Sequence, residues 1–310
     1  MMTDTGEYTP PATGATLLRR QDEVDALRLL IAQKRLYSCA KRWVAIRWFG
    51  MLIIGLAAPI VAVIWPQSSV IVGSIAGAWL FLGRTLLMHA QKTRTEQAAA
   101  VQEQFDFYVY EMPSGTPRPK LPSLEDISLA AGHDGELLDV AEKEEMLGWY
   151  VVAEDDPGET AVAIAQRSNA AYSYRLLRFT GIIWSAVAVL WAAVLITICI
   201  VTGQTLVTFL LGVVLPLLPA FLDVTDYIVG ILRAARDREA LYREIESKIG
   251  DKNEPITGQN LRVWQEALFE LRRDTPTVPD LIYKLQRRKN EAAMSAAATQ
   301  LSKRAYQEGE

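Results

Sequence analysis

The stretch from Phe179 to Leu222 constrains this chain more than any other. It opens with FTGIIWSAVAVLWAAVLITICIV, which carries no charge. A helix needs roughly 20 apolar residues to cross a hydrocarbon layer about 30 Å thick, because it rises about 1.5 Å per residue. The polar turn Thr202-Gly203-Gln204-Thr205 separates this run from LVTFLLGVVLPLLPAFL. Two such runs joined by a few polar residues predict a helical hairpin in a membrane. A buried helix of a soluble protein rarely runs this long without one charged edge. A second apolar block, Trp48–Met88, reads the same way: a span from Trp48 to Trp65, a turn over Pro66–Ser69, and a span from Val70 to Met88.

The expected fold class is therefore mainly α and integral to a membrane. It has four transmembrane helices as two hairpins, a cytosolic α+β insert between them and a cytosolic helical C-terminal tail. The expected divisions are a disordered N-terminus (1–16), a cytosolic helix (17–47), hairpin 1 (48–88), an insert (91–178), hairpin 2 (179–222) and the tail (223–310). Charge falls almost entirely outside the two apolar blocks, although 22% of the 310 residues are charged. A net charge of −4 leaves no footprint for bulk nucleic acid. Cys39 and Cys199 lie far apart, and Cys199 falls inside a span. No disulfide framework is expected, which fits a reducing cytosolic side.

Orientation follows from the basic residues. The two tight turns carry no charge. Lys34, Arg35, Lys41, Arg42 and Arg47 precede span one, and Lys92 and Arg94 follow span two. Arg167, Arg175 and Arg178 precede span three, and Arg233, Arg236 and Arg238 follow span four. Basic residues near span ends stay in the cytoplasm. Both termini and the central insert are thus expected inside, with Trp43 and Trp48 in the aromatic belt.

Several residues stand out. Gly73 and Gly77 form a small-xxx-small pair that lets a helix approach closely, either the hairpin partner or another subunit. Arg84 is the one full charge in span two. Snorkelling and a pore-lining or ion-paired role are both open to it. Pro216 and Pro219 remove amide donors in span four and predict a kink. Asp223 and Asp226 follow on nearly one helix face. They are either an acidic mouth of a pore or carboxylates paired with a basic residue such as Arg84 or Arg178. In the insert, Phe105, Phe107 and Val109 alternate with Asp106, Tyr108 and Tyr110, which reads as a strand. Ser123 with Asp126 resembles a helix cap. From Ala161 the pattern runs without a breaker through Arg178 into span three. Gln166, Arg167, Asn169 and Arg175 on that helix are candidates for coupling a cytosolic event to the membrane. The plainer alternative is that they tie the helix to its surroundings. No nucleotide loop, nucleophile elbow or metal-ligand spacing is present, so neither an enzyme nor a cofactor is expected.

The order of these features resembles the SMODS-associated four-transmembrane effectors. The landmarks are Ala32–Arg42 (AQKRLYSCAKR), Phe105-Asp106, Trp149-Tyr150, Gln166-Arg167 with Asn169, and Val278-Pro279-Asp280 with Tyr283. The resemblance runs from about Leu27 to Met294. This chain departs from the family at Ala165, where the family has Cys, and at Tyr172-Ser173, where it has an aromatic-Asp pair. The resemblance implies a pore-forming or membrane-disrupting effector of a bacterial nucleotide-signalling anti-phage system (CBASS) that acts by abortive infection. It would sit in the bacterial inner membrane and be encoded beside a nucleotide-second-messenger synthase. The implied partners are the lipid bilayer, further copies in a homo-oligomer, and a cyclic nucleotide or its synthase. A membrane-anchored sensor or adaptor without conduction, and a small housekeeping channel or transporter, are the alternatives.

Overall fold

The computed structural model describes residues 8–65, 69–115, 118–201, 203, 205–210, 214–251 and 254–307. Four long helical runs organise it. Helix α1 (Gly14–Arg20) is short and is followed by α2 (Val24–Ile64), 41 residues long. Helix α3 (Ser69–Leu82) passes through a π-helical turn at Gly83–Leu87 into α4 (Met88–Tyr110) without interruption. Small helices α5 (Leu124–Ala131) and α6 (Leu137–Lys143) follow. Helix α7 (Gly158–Val201) has 44 residues, about 66 Å at the usual rise per residue. A single turn, α8 (Leu206–Phe209), leads to α9 (Leu215–Ile249), then α10 (Gly258–Arg273) and α11 (Asp280–Gln307).

The long helices have two unlike halves. Phe49, Leu56, Ile71, Phe81, Val189, Leu190 and Ile200 are each more than half exposed. In water these seven side chains alone would forgo on the order of 10 kcal/mol of burial, comparable to a domain's whole stability. The opposite half is an ordinary protein interior. One apolar core runs from Tyr8 and Leu17 through Leu27, Phe105, Leu137, Tyr150 and Ile164 to Ile245, Leu261, Trp264 and Leu301. The exposed apolar half is a lipid-facing surface. Among the described residues, two helical runs are long and apolar enough to cross a bilayer, Ile71–Val109 and Gly158–Val201. The turns expected at 66–68 and at 202 and 204 lie outside the described residues.

The insert is not α+β: among the described residues there is no strand. The stretch expected as one, Phe105–Tyr110, is the last turn and a half of α4. No Gly or Pro stands between Gln91 and Tyr110, so a helix already launched from the membrane extends at no nucleation cost. Phe105 and Val109, four apart, both point into the core. The helix stops at Glu111, which adopts a left-handed φ of 53°, two residues before Pro113. Ser123 caps α5 as expected, its Oγ accepting from the Asp126 amide at 3.1 Å.

The N-terminal expectation also needs correction, because residues 8–16 are held in place. Tyr8 is buried, and its hydroxyl donates to the Tyr110 carbonyl at 2.6 Å. The segment crosses two helix starts that must be glycine. A Cβ on Gly158 would lie 1.5 Å from the Pro11 carbonyl oxygen, and one on Gly258 1.8 Å from that of Tyr8. Insert, tail and N-terminal segment therefore share one core.

Helix α2 packs along α4, and α7 along α9. The two pairs meet through α2 and α9 near the apolar half and through α10, which touches α4, α7 and α9, at the other end. Trp48, Trp184 and Tyr227 cluster at the junction in tilted and edge-to-face contacts, with centroids 4.8 to 5.7 Å apart. Between α2 and α3 the close approach is at Gly50. A Cβ there would lie 2.1 Å from the Trp79 ring. Gly73 and Gly77 have nothing within 4 Å of an added Cβ, so neither packs on the hairpin partner.

Candidate functional site at the membrane boundary

The charges flanking the apolar half converge between the two helix pairs. Arg84 lies in the π-helical turn between α3 and α4. Its Nε and NH2 donate to Oδ1 of Asp223 on α9, at 2.9 and 2.6 Å. Asp226, one turn on, stands 3.5 Å from the same guanidinium. Asp223 is 4% exposed at its side chain and Asp226 75%. Of the two readings open for the aspartates, pairing with Arg84 is the arrangement seen. Oδ2 of Asp223 has no hydrogen-bond partner.

Below this pair lies a cleft of about 510 Å³ between α4 and α9, floored by Arg273–Pro276 at the end of α10. Arg47, Arg84, Lys92, Asp223, Asp226 and Tyr227 line it. Pro216 and Pro219 fall in the first turns of α9, above the cleft.

A second polar centre lies inside the core. Asp106 on α4 is completely buried and accepts from Tyr150 Oη at 2.5 Å, Gln265 Nε2 at 2.8 Å and Arg272 NH1 at 2.6 Å. Burial penalises the Arg272 charge, but Asp106, Tyr150 and Tyr37 outweigh that and raise its pKa. Burial first, then Asp106, pushes Tyr150 well above the ordinary phenol value. Asn169 donates to Tyr150 Oη at 3.0 Å. Gln166 donates to Gln265 Oε1 at 3.1 Å and to the Leu261 carbonyl at 2.9 Å. Three landmark pairs, Phe105-Asp106, Trp149-Tyr150 and Gln166-Arg167, thus meet in one network. Sequence reasoning missed Gln265 and Arg272, which sit four and eleven residues beyond Leu261 on α10 without a local motif.

The remaining coupling candidates extend this pattern along α7. Arg167 pairs with Glu246 of α9 at 2.7 Å and lies over the Tyr242 ring. Arg175 donates to Asn290 of α11 at 2.9 Å. Gln166, Arg167, Asn169 and Arg175 each fasten α7 to a different element. The same unbroken helix then forms the apolar run to Val201.

Long helices shared between a lipid-facing half and a polar-jointed core define an integral membrane protein. The chain belongs to the family of the SMODS-associating 4TM effector domain, whose family model matches residues 15–301. The family's description makes it a membrane effector associated with SMODS signalling. No curated protein and no solved structure matches the chain.

Proposed function

We propose that this protein permeabilises the bacterial inner membrane as the effector arm of a nucleotide-signalling anti-phage system. In this reading four helices cross the bilayer as two hairpins, with both termini and the central segment in the cytosol. The basic residues flanking each apolar run support that orientation. Several copies enclose the conducting path, and the open faces of Gly73 and Gly77 are where copies would approach.

One observation carries the proposal. The two helix pairs are joined at the membrane boundary by the Arg84–Asp223 ion pair, placed over a polar cleft and inside a π-helical turn. Such turns lack regular helical hydrogen bonding and cluster at functional sites. A signal received by the cytosolic core travels along α7 and α9, opens this joint and separates the pairs. Induced expression with and without the neighbouring synthase, while membrane potential is followed, tests the proposal. Depolarisation that requires the synthase is the expected result. Toxicity with an intact potential would favour an adaptor without conduction.

A further inference from the structure

Arg47 is the last residue before the first apolar run, and its side chain is almost fully buried. No salt bridge reaches it among the described residues, and its Nε has no hydrogen-bond partner. A buried guanidinium without a direct ion pair is costly, because the charge has given up water and the nearest carboxylate, Asp223, is bonded to Arg84. The fold nevertheless makes room for it. A Cβ on Gly83 would lie 3.3 Å from Arg47 Cγ, so glycine in the π-helical turn lets the arginine stem pass. The stem leads into the cleft between α4 and α9.

At the membrane end of that cleft Asp223 and Asp226 both pair with Arg84, at 2.6 and 3.5 Å, which leaves Arg47 as the buried guanidinium with no ion pair among the described residues. Asp226 is 75% exposed and meets Arg84 only at the longer distance, so it stays open to a second cation from solvent. A monoanion at Arg47 with a cation beside Asp226 would complete the set. At the level where the apolar halves begin, the bilayer itself supplies that combination. We propose that the cleft holds the headgroup of an inner-leaflet ethanolamine phospholipid, its phosphodiester on Arg47 and its ammonium on Asp226. Arginine suits the phosphodiester because its planar donors match two phosphate oxygens at once. A bound lipid lies across the gap between the two helix pairs and holds them at a fixed separation. The proposal rests on the membrane placement of this end and not on pore formation, so its test reads lipid and not permeability.

Full-length protein is washed into lipid-free detergent and titrated with dioleoyl phosphatidylethanolamine, dioleoyl phosphatidylglycerol or dioleoyl phosphatidylcholine. Water-soluble glycerophosphoethanolamine is the fourth probe, and native mass spectrometry counts what stays bound. The ethanolamine lipid should bind once per copy and tightest of the four. Arg47→Met should weaken it about tenfold to a hundredfold, the loss of a charge-assisted bond. Asp226→Asn should remove the preference for ethanolamine over glycerol. If Arg47→Met does not fold, Arg47→Lys is read instead. It keeps the charge, loses the paired donors and should weaken binding in the same direction. Unchanged binding in the folded Arg47 variant overturns the proposal, as does equal affinity of wild type for all three lipids. Displacement of the lipid by glycerophosphoethanolamine at equal concentration would assign the site to a soluble phosphodiester instead.

Discussion

Replacing Arg84 with Met removes the guanidinium that ties the two helix pairs together at the membrane boundary through Asp223 and Asp226. Asp223, 4% exposed with Arg84 in place, would have neither oxygen hydrogen-bonded, since Oδ2 already lacks a donor. Stranding one member of a buried pair costs about 3–5 kcal/mol. The Arg84 side chain is 44% exposed and Arg47 stands nearby, so the lower figure applies. That cost falls on the closed arrangement, because opening the joint lets water reach Asp223. About 3 kcal/mol shifts a closed–open equilibrium about a hundredfold towards open. Cells induced to make Arg84→Met should therefore depolarise without the synthase, at wild-type protein level, as read by a potential-sensitive dye. Arg84→Met combined with Asp223→Leu removes the stranded charge and should restore a closed state. A single variant that stays silent at normal level would refute the reasoning, as would a double variant leakier than the single.

Other outcomes follow from the same contacts. Periplasm-active reporters should respond at Ser68 and Gly203 and stay silent at Gly115 and Glu310; a signal at Gly115 would overturn the orientation. Arg272→Met should destabilise the core by about 3–5 kcal/mol in thermal unfolding, since Asp106 is completely buried, and a variant melting at the wild-type temperature would contradict the network's role. Alkali should unfold the core. Burial pushes the Tyr37 phenol up to about 12 from its ordinary value of 10, so the unfolded chain loses this proton first. Stability is then complete below about pH 10 and falls as pH rises towards 12. Tyr110 and Tyr150 are raised likewise, whereas Arg238, lowered by burial to about 10, opposes them singly. Tyr37→Phe should move the alkaline midpoint upward, and an unmoved midpoint would argue against this assignment.

The features legible in the sequence are those set by long runs. The apolar blocks, their basic flanks and the unbroken passage from Ala161 into span three each rest on many residues that agree. The Ser123 cap was readable because its donor and acceptor lie three residues apart. Short patterns misled. Six alternating residues at Phe105–Tyr110 suit a strand or a helix buried on several sides, and the hydrogen-bond ladder arriving from Met88 decides for the helix. The order at 8–16 had one signal, Tyr8 in an otherwise polar segment, whose ring finds its site only once α4 is in place. The apolar spacing of Leu261 and Leu268 on α10 suits a partner helix of any origin, and both are buried in the chain's own core. Gly50 rather than Gly73 or Gly77 takes the close contact, because Trp79 stands opposite it, and no local pattern announces a ring from another helix. Arg272 and Asp106 are 166 residues apart, and only the fold brings them together.

The central claim is that opening the Arg84–Asp223 joint makes the bilayer leak, and current through a planar bilayer tests it most directly. Purified wild-type protein should hold the membrane sealed, and Arg84→Met should give discrete current steps that Arg84→Met with Asp223→Leu suppresses. A sealed bilayer for the inserted, folded Arg84→Met protein would contradict the account.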